Sequence, residues 1–396
     1  MTDSAPVNPI RTSVDRVDWA RILRFPHLFR ALSLASSPQR IFLGTAIIVL
    51  LMSGGYLWDS LSGTDTFGKS TVPFIADLFR DVANDALELN PGSAVASLFL
   101  LPWTAAATIW KFDAFYKVFF GLFFLLVWYV GGCTIARTAA TEFALDRADR
   151  WTDAFAFSLR RWIPLTATVL LPLLLVAVGL GLLALGGLAL RVPYLDVAAA
   201  ALPYGLALFG SFLLACLVVL FLPAQTLFIP AVAVESADTP DALSRSFSYV
   251  KNRPLHFLAY SVFLAVQGIL GFLLVAAIAS LTLKIVATGL DLAGHDVLPR
   301  LVDAPPFLDH PPESDLSDLG TGTSLITARI LNVWNTLVVA LVCGWVVSYV
   351  FSARVMLYFV MRHAVDQQDF DEIWVPGLIE STMAPDRAVK PESTGA

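Results

Sequence analysis

Residues 163–190 read IPLTATVLLPLLLVAVGLGLLALGGLAL, and this stretch decides the fold because it contains no charged residue. About 20 such residues cross the hydrocarbon core of a bilayer as a helix. Residues 257–283 form a second charge-free run. Neither run alternates apolar and polar residues as membrane β-barrel strands do, so the backbone groups must be satisfied within helices. The sequence therefore predicts an all-α membrane protein.

The composition of the whole chain agrees with that prediction. Hydrophobic residues make up 57% of the 396 residues and charged residues only 15%, which is too little polar surface for a soluble protein of this length. The three cysteines, Cys133, Cys216 and Cys343, all fall inside apolar runs. We therefore expect small buried hydrophobic side chains there, and neither a metal site nor a disulfide.

The positive charges predict the orientation of six spans. Placing both termini in the cytoplasm puts 18 of the 26 Lys and Arg residues on that side and seven in the outer loops, as the positive-inside rule requires. Arg outnumbers Lys 20 to 6, a bias typical of GC-rich bacteria, so we expect a bacterial inner membrane. The predicted spans are residues 41–58, 116–136, 163–190, 204–228, 257–283 and 330–359.

Three segments outside these spans need separate interpretations. Residues 19–34 place apolar side chains at helical spacing, and their cations predict an amphipathic surface helix that binds anionic lipid head groups through Arg21, Arg24 and Arg30. Residues 93–110 are long enough to cross but would move the Arg-rich stretch 137–161 outside, so we predict an interfacial or re-entrant helix. The domains are an N-terminal segment (1–40), a membrane domain (41–374) and a disordered cytoplasmic tail (375–396).

The chain also repeats itself three times, and self-similarity of this kind predicts a repeated structural unit. A word of the form Ala, Leu or Val, acid, two variable residues, Asp follows the second, fourth and sixth spans: ALDRAD at 144–149, AVESAD at 233–238 and AVDQQD at 364–369. The words ALSL, AFSL and SFSY precede the first, third and fifth spans. We predict three parallel two-span hairpins, each preceded by a surface helix, in units of about 19–149, 150–238 and 239–371.

The acids of the repeated word have two interpretations. The structural one is that they end one helix and cap the next, because Asp is a good N-cap and negative charge favours a helix N-terminus. The basic residues that follow can then pair with these acids or with lipid phosphates. The functional one is a cation site on which all six carboxylates converge: Asp146, Asp149, Glu235, Asp238, Asp366 and Asp369.

The stretch Asp241-Ala242-Leu243-Ser244-Arg245-Ser246-Phe247 and, less closely, residues 153–161 carry a family resemblance. With the hairpin layout around them, they resemble the membrane domain attached to some bacterial glycerophosphodiester phosphodiesterases and a broader set of uncharacterised bacterial polytopic proteins. The resemblance covers about the middle half of the chain. It implies a membrane module and transfers no catalytic residue.

Polar residues inside spans are the remaining candidates, because burying them in hydrocarbon is costly. They are Gln225, Gln267, Asn332, Asn335 and Arg354. We expect the amides to hydrogen-bond across helices and Arg354 to extend to the inner head groups. The glycines of the third span, Gly179, Gly181, Gly186 and Gly187, are predicted to be close-packing positions.

No sequence motif nominates a catalytic residue, a metal ligand, a cofactor or a nucleic-acid partner. Three function classes follow. The first is a non-enzymatic membrane module that organises lipids or partner proteins. The alternatives are a transporter or channel for a small or lipid-like solute, and a membrane enzyme that acts on lipid.

Overall fold

The structure is a computed structural model, and it describes residues 25–63, 67–88, 90, 92–93, 95–97, 100, 112–147, 149–189, 203–292 and 323–375. Arg21, Arg24, most of the segment 93–110 and the tail beyond residue 375 lie outside these residues. The predictions made for them stay predictions.

The described residues form helices and turns and contain no strand, so the protein is an all-α membrane protein. Within the described residues, six helices are long and apolar enough to cross a bilayer, as predicted. Three of them, the outgoing helices, follow a short helix directly. The other three, the returning helices, come back to the same end of the bundle. The outgoing helices are α3 (Pro38–Ser62), α7 (Trp162–Ala189) and α10 (Pro254–Asp291), and the returning helices are α5 (Ala114–Leu145), α8 (Pro203–Glu235) and α11 (Thr323–Asp366).

Every returning helix runs further than the apolar run that predicted it. The predicted spans ended at residues 136, 228 and 359, whereas the helices end at Leu145, Glu235 and Asp366. Each helix therefore continues into its copy of the repeated word and ends within it. The helix α8 also runs unbroken through Pro223 and Pro230, although proline removes a hydrogen bond from a helix interior.

The shorter helices are α1 (Phe25–Leu28), α2 (Arg30–Ala35), α4 (Val72–Leu87), α6 (Trp151–Arg160) and α9 (Thr239–Asn252), with a single π-helical turn at Phe67–Thr71. Proline occupies the first turn of α3 and of α9 and the first position of α10. Its fixed φ and missing N–H suit the start of a helix. The sequence thus sets these helix starts locally.

A left-handed residue follows each returning helix. Asp146 (φ 50°), Ser236 (φ 55°) and Gln367 (φ 59°) are the non-glycine residues with positive φ among the described ones. A left-handed residue is a common way to end a helix. In the aligned words, however, Asp146 is the left-handed residue itself, while Glu235 and Asp366 are the last residues of their helices. The three helix ends are therefore alike in conformation. The left-handed residue of the first lies one position earlier in the repeated word than those of the other two.

The three returning helices contact one another and form the centre of the bundle. Each also contacts the outgoing helix of its own pair, and each carries one short helix on its end. The helix α6 packs on α5, α9 packs on α8, and α2 packs on α11. We call this end of the bundle, where α2, α6 and α9 lie, the capped face. The superposition of three hairpin units remains a prediction, which this arrangement favours.

Glycine permits the closest helix contacts, but not where the sequence suggested them. Gly44 of α3 and Gly344 of α11 meet so closely that a Cβ on either would collide with backbone atoms of the other helix. Of the four glycines named in the third span, Gly179 faces Leu214, whereas Gly181, Gly186 and Gly187 face no described atom within 4 Å. The close-packing prediction is thus wrong for these three, because the half of α7 farther from the capped face lies at the edge of the bundle.

Candidate functional site at the capped face

Glu235, the last residue of α8, is the centre of a cluster of charged and aromatic groups. The Tyr358 hydroxyl donates to its Oε1 at 2.8 Å, and Nη1 of Arg245 lies 2.5 Å from its Oε2. Nη1 of the buried Arg362 lies 3.6 Å from Oε1. One carboxylate therefore joins the ends of α8 and α11 to the helix α9.

Tyr249 extends the cluster to a second carboxylate. Its hydroxyl donates to Oδ2 of Asp366 at 2.5 Å, and its ring packs 5.6 Å from the ring of Tyr358. Burial raises the pKa of Tyr249, and the hydrogen bond to Asp366 and the charge of Glu235 raise it further. The pKa of Arg245 is also raised: burial alone would lower it, but the carboxylate of Glu235 and the hydroxyls of Tyr358 and Tyr249 together outweigh burial. The hydroxyl and the guanidinium thus keep the protonated forms that their partners need.

Two buried arginines bind backbone carbonyls of the segment that follows α11. Arg362 donates to the carbonyl oxygens of Asp369 and Glu372, each at 2.8 Å. Arg137 of α5 donates to the carbonyls of Ala233 and Trp374, at 2.8 and 2.7 Å. We call residues 367–375 the C-terminal strap.

The strap is also held by its own groups. The backbone amide of Trp374 donates to the carbonyl of Val234 at 2.9 Å, and the indole ring of Trp374 packs on the ring of Phe157. The strap therefore connects α11 to α5, α6 and α8. The strap contains a turn at residues 370–371 and no helix, and the arginines satisfy its carbonyls at Asp369, Glu372 and Trp374, as buried backbone requires.

A third buried arginine lies at the start of α3. Arg40 donates through Nε to the carbonyl of Leu34 and forms an ion pair of 2.9 Å with Glu142 of α5. It thereby fixes the turn between α2 and α3 and attaches that turn to the neighbouring returning helix.

The six acids of the repeated word do not converge on one point. Asp146 pairs with Arg30 at 3.5 Å, Asp149 lies 3.8 Å from both Arg137 and Arg147, and Asp238 pairs with Arg161 at 2.8 Å. Asp369 takes part through its backbone carbonyl. Within the described ranges there is no group of three His, Cys, Asp or Glu side chains that could hold a metal ion. The geometry favours the structural interpretation of these acids over the cation site.

Two details of that interpretation are wrong. Asp238 occupies the N-cap position of α9 but makes no capping hydrogen bond, because its carboxylate accepts from Arg161. Asp149 lies one residue before the N-cap of α6, which is Arg150. Four of the six acids pair with arginines, and Asp366 accepts from Tyr249. Neither α6 nor α9 has a side-chain N-cap hydrogen bond.

The intramembrane polar residues are scattered. Gln267 bridges helices: its Nε2 donates to the carbonyl of Phe29 at 3.4 Å, and its Oε1 accepts from the Tyr349 hydroxyl at 3.1 Å. Arg354 stacks over the ring of Phe351 at 5.6 Å. Gln225 and Asn335 are half-buried, and the side chain of Asn332 lies outside the described atoms.

The sequence interpretation missed the three buried arginines, counting Arg40, Arg137 and Arg362 only as charges on one side. A signal did exist, because Arg137 and Arg362 each interrupt an apolar helical run within ten residues of the helix end. The cysteines are all free, with Cys133 buried, Cys343 half-buried and Cys216 exposed on α8.

Chemically, the capped face holds charges by pairing them. The cations bind carboxylates or backbone carbonyls, and the tyrosines donate to carboxylates, so the arrangement fixes helices relative to one another. No protein-family model, curated protein or solved structure matches this chain.

Proposed function

We propose that this chain is a non-enzymatic integral membrane module that organises lipids or partner proteins at its capped face. The observation that carries the proposal is the cluster around Glu235, in which the charged groups are bound to each other across three helices. A site that performs chemistry or carries a solute needs polar groups available to a substrate, whereas these groups hold a platform together.

The alternatives receive less support from the same residues. A transporter would use the intramembrane amides, but the amide of Gln267 is bound at both ends by Phe29 and Tyr349. A lipid-acting enzyme would need a nucleophile or a base, and the carboxylates of the cluster are already bound by arginines and tyrosine hydroxyls. The likeness in layout to the membrane domain of glycerophosphodiester phosphodiesterases fits a module of this kind.

We further propose that the capped face lies in the cytoplasm of a bacterium, with the spans in its inner membrane. The excess of Lys and Arg near this face supports the orientation. In a variant lacking the native cysteines, a cysteine at the exposed Ser70 should react with an impermeant reagent from outside the cell. A cysteine at Asp238 should not, and its labelling from outside would contradict the orientation.

Site-specific photo-crosslinking in native membranes tests the proposed function. A cross-linking residue at the exposed Ser33 and at Asp238 should yield one reproducible product each, a protein or a lipid adduct of defined mass. The same residue at Leu174, on the exposed side of α7, is the control and should give only diffuse lipid adducts. Absence of a defined product from both capped-face positions would contradict the proposal.

A further inference from the structure

The structure sorts the basic residues of α6 and α9 into two sets. Arg161 and Arg245 are bound by Asp238 and Glu235. Arg160, Lys251 and Arg253 are exposed and form no ion pair within the described part of the chain. The bound set is explained by the internal network. The exposed set is not.

The exposed set lies where a short helix meets a span. Arg160 is in the last turn of α6, directly before α7, and Lys251 and Arg253 are at the end of α9, directly before α10. The acids of these two helices, Asp153 and Asp241, are in their first turns instead. Positive charge is therefore concentrated at the end of each short helix that is nearer the membrane.

Exposed apolar side chains surround both junctions. Trp151, Phe155 and Leu159 form an exposed stripe on α6, and the opposite side of that helix buries Ala154 and Ser158. Their spacing of four residues places the three on one side of the helix. The stripe is continuous along the chain with Trp162 and Ile163, the first residues of α7, and Ile163 is 59% exposed.

The second junction repeats this combination. Leu255 and Leu258 of α10 are 76% and 50% exposed, and they follow Lys251 and Arg253 directly. A cation beside lipid-facing apolar residues is the composition of a membrane–water interface, and the first junction adds a tryptophan, Trp162, at the same level. A lipid with an anionic head group supplies both parts of the complement, acyl chains for the apolar residues and a phosphate for the cation.

We propose that the α6–α7 and α9–α10 junctions bind anionic phospholipids of the leaflet at the capped face, through Arg160 at one junction and Lys251 and Arg253 at the other. This deepens the proposed function and rests on it, because it names the lipid class that the module organises. The proposed lipid contact differs from the one at Arg30 that the sequence predicted, because Arg30 pairs with Asp146.

Native mass spectrometry of the detergent-purified full chain, titrated with phosphatidylglycerol and separately with phosphatidylcholine, tests the proposal. The variant with Arg160→Gln, Lys251→Gln and Arg253→Gln should lose affinity for phosphatidylglycerol by about fivefold per cation, which corresponds to ~1 kcal/mol each. Its affinity for phosphatidylcholine should stay unchanged. Arg147→Gln is the matched control, since Arg147 is 71% exposed at the same face but lies at neither junction and pairs with Asp149.

Three results would overturn the proposal: no preference of the native chain for phosphatidylglycerol, an unchanged preference in the triple variant, or an equal loss in Arg147→Gln. The last would indicate attraction by overall surface charge. Thermal unfolding of the triple variant should match that of the native chain, because these side chains bind no described partner. If the lipid preference fails while the cross-links from Ser33 and Asp238 persist, the module organises a protein and the proposed function stands.

Discussion

The ends of the returning helices and the membrane lengths of α7 and α8 pack in opposite ways, although every one of these helices has the mean hydropathy of a membrane span. In the most apolar 18-residue stretch of α11, 50% of the residues are buried within the protein. In the corresponding stretches of α7 and α8, only 11% and 6% of the residues are buried. Near its end at the capped face, however, α8 is buried from Leu227 to Val234. Hydropathy therefore locates the spans, but it does not show which part of a span the protein itself covers.

The difference follows from what holds each region. Within the bilayer, lipid covers an apolar surface as well as another helix does, so hydrophobicity gives little reason for α7 and α8 to be enclosed. At the capped face the helices extend beyond their apolar runs, and buried arginines bind carboxylates and carbonyls there. Stability should therefore depend more on substitutions at the capped face than on substitutions in the exposed membrane surface.

The largest expected effect is at a buried arginine. Replacing Arg362 by alanine removes the donors to Asp369 and Glu372 and leaves Glu235 with less positive charge, which should cost about 3–5 kcal/mol of unfolding free energy. Leu174→Ala, in the exposed length of α7, should change it by about 0.5 kcal/mol or less. Unfolding of both variants in detergent measures the difference. Equal unfolding midpoints would refute the comparison.

The next effect concerns glycines in the two regions. Gly344→Ala places a Cβ against backbone atoms of Thr45 and should destabilise the fold by roughly 1–3 kcal/mol. Gly186→Ala meets no described atom within 4 Å, and it should be neutral or stabilise by up to about 1 kcal/mol, since alanine favours a helix interior. The same unfolding measurement applies, and destabilisation by Gly186→Ala would show that α7 has a packing partner there.

The third expected effect on the unfolding free energy is smaller, concerns Tyr249 and depends on pH. Burial raises the pKa of Tyr249 above the ordinary 10.0, so the folded chain favours the neutral hydroxyl. The resulting stability is complete below about pH 10 and is lost as the pH rises above that value. Tyr249→Phe should be less stable at pH 7, having lost its bond to Asp366, but its stability should fall less between pH 9 and 11. Unfolding measured across that range checks this, and parallel curves would contradict it.

The smallest effect is expected at the surface pair Arg161–Asp238, which is 2.8 Å long but half-exposed. A double-mutant cycle with Arg161→Gln and Asp238→Asn should give a coupling energy of about 0.2–1 kcal/mol, and less at high salt. A coupling as large as the effect of Arg362→Ala would mean that exposure does not separate the two regions.

Much of the fold could be predicted from the sequence, because hydropathy and proline act locally. The six spans, the short helices α6 and α9 before α7 and α10, and the bridging role of Gln267 are all found in the structure. The site was harder to predict, since it depends on which helices meet. Nothing local in the sequence indicates that Tyr358 reaches Glu235 or that Trp374 returns to Arg137.

The acids illustrate that limit. The repeated word drew attention to Asp146, Glu235 and Asp366, and all three lie at the ends of returning helices. Their partners differ, however: an exposed arginine for Asp146, three side chains for Glu235 and a tyrosine for Asp366. A repeat in the sequence predicts similar positions along the chain, whereas charge pairing depends on neighbours that the repeat does not specify.

The packing of α2 on α11 has a consequence for the order of assembly. The Ser348 hydroxyl donates to the carbonyl of Ala35 at 2.8 Å, across 313 residues of sequence. Chains are synthesised and inserted from the N-terminus, and contacts between distant residues form late. The first helix pair therefore enters the membrane with the buried side of α2 uncovered. The surface of α2 that contacts α11 remains without that partner until the last span is inserted.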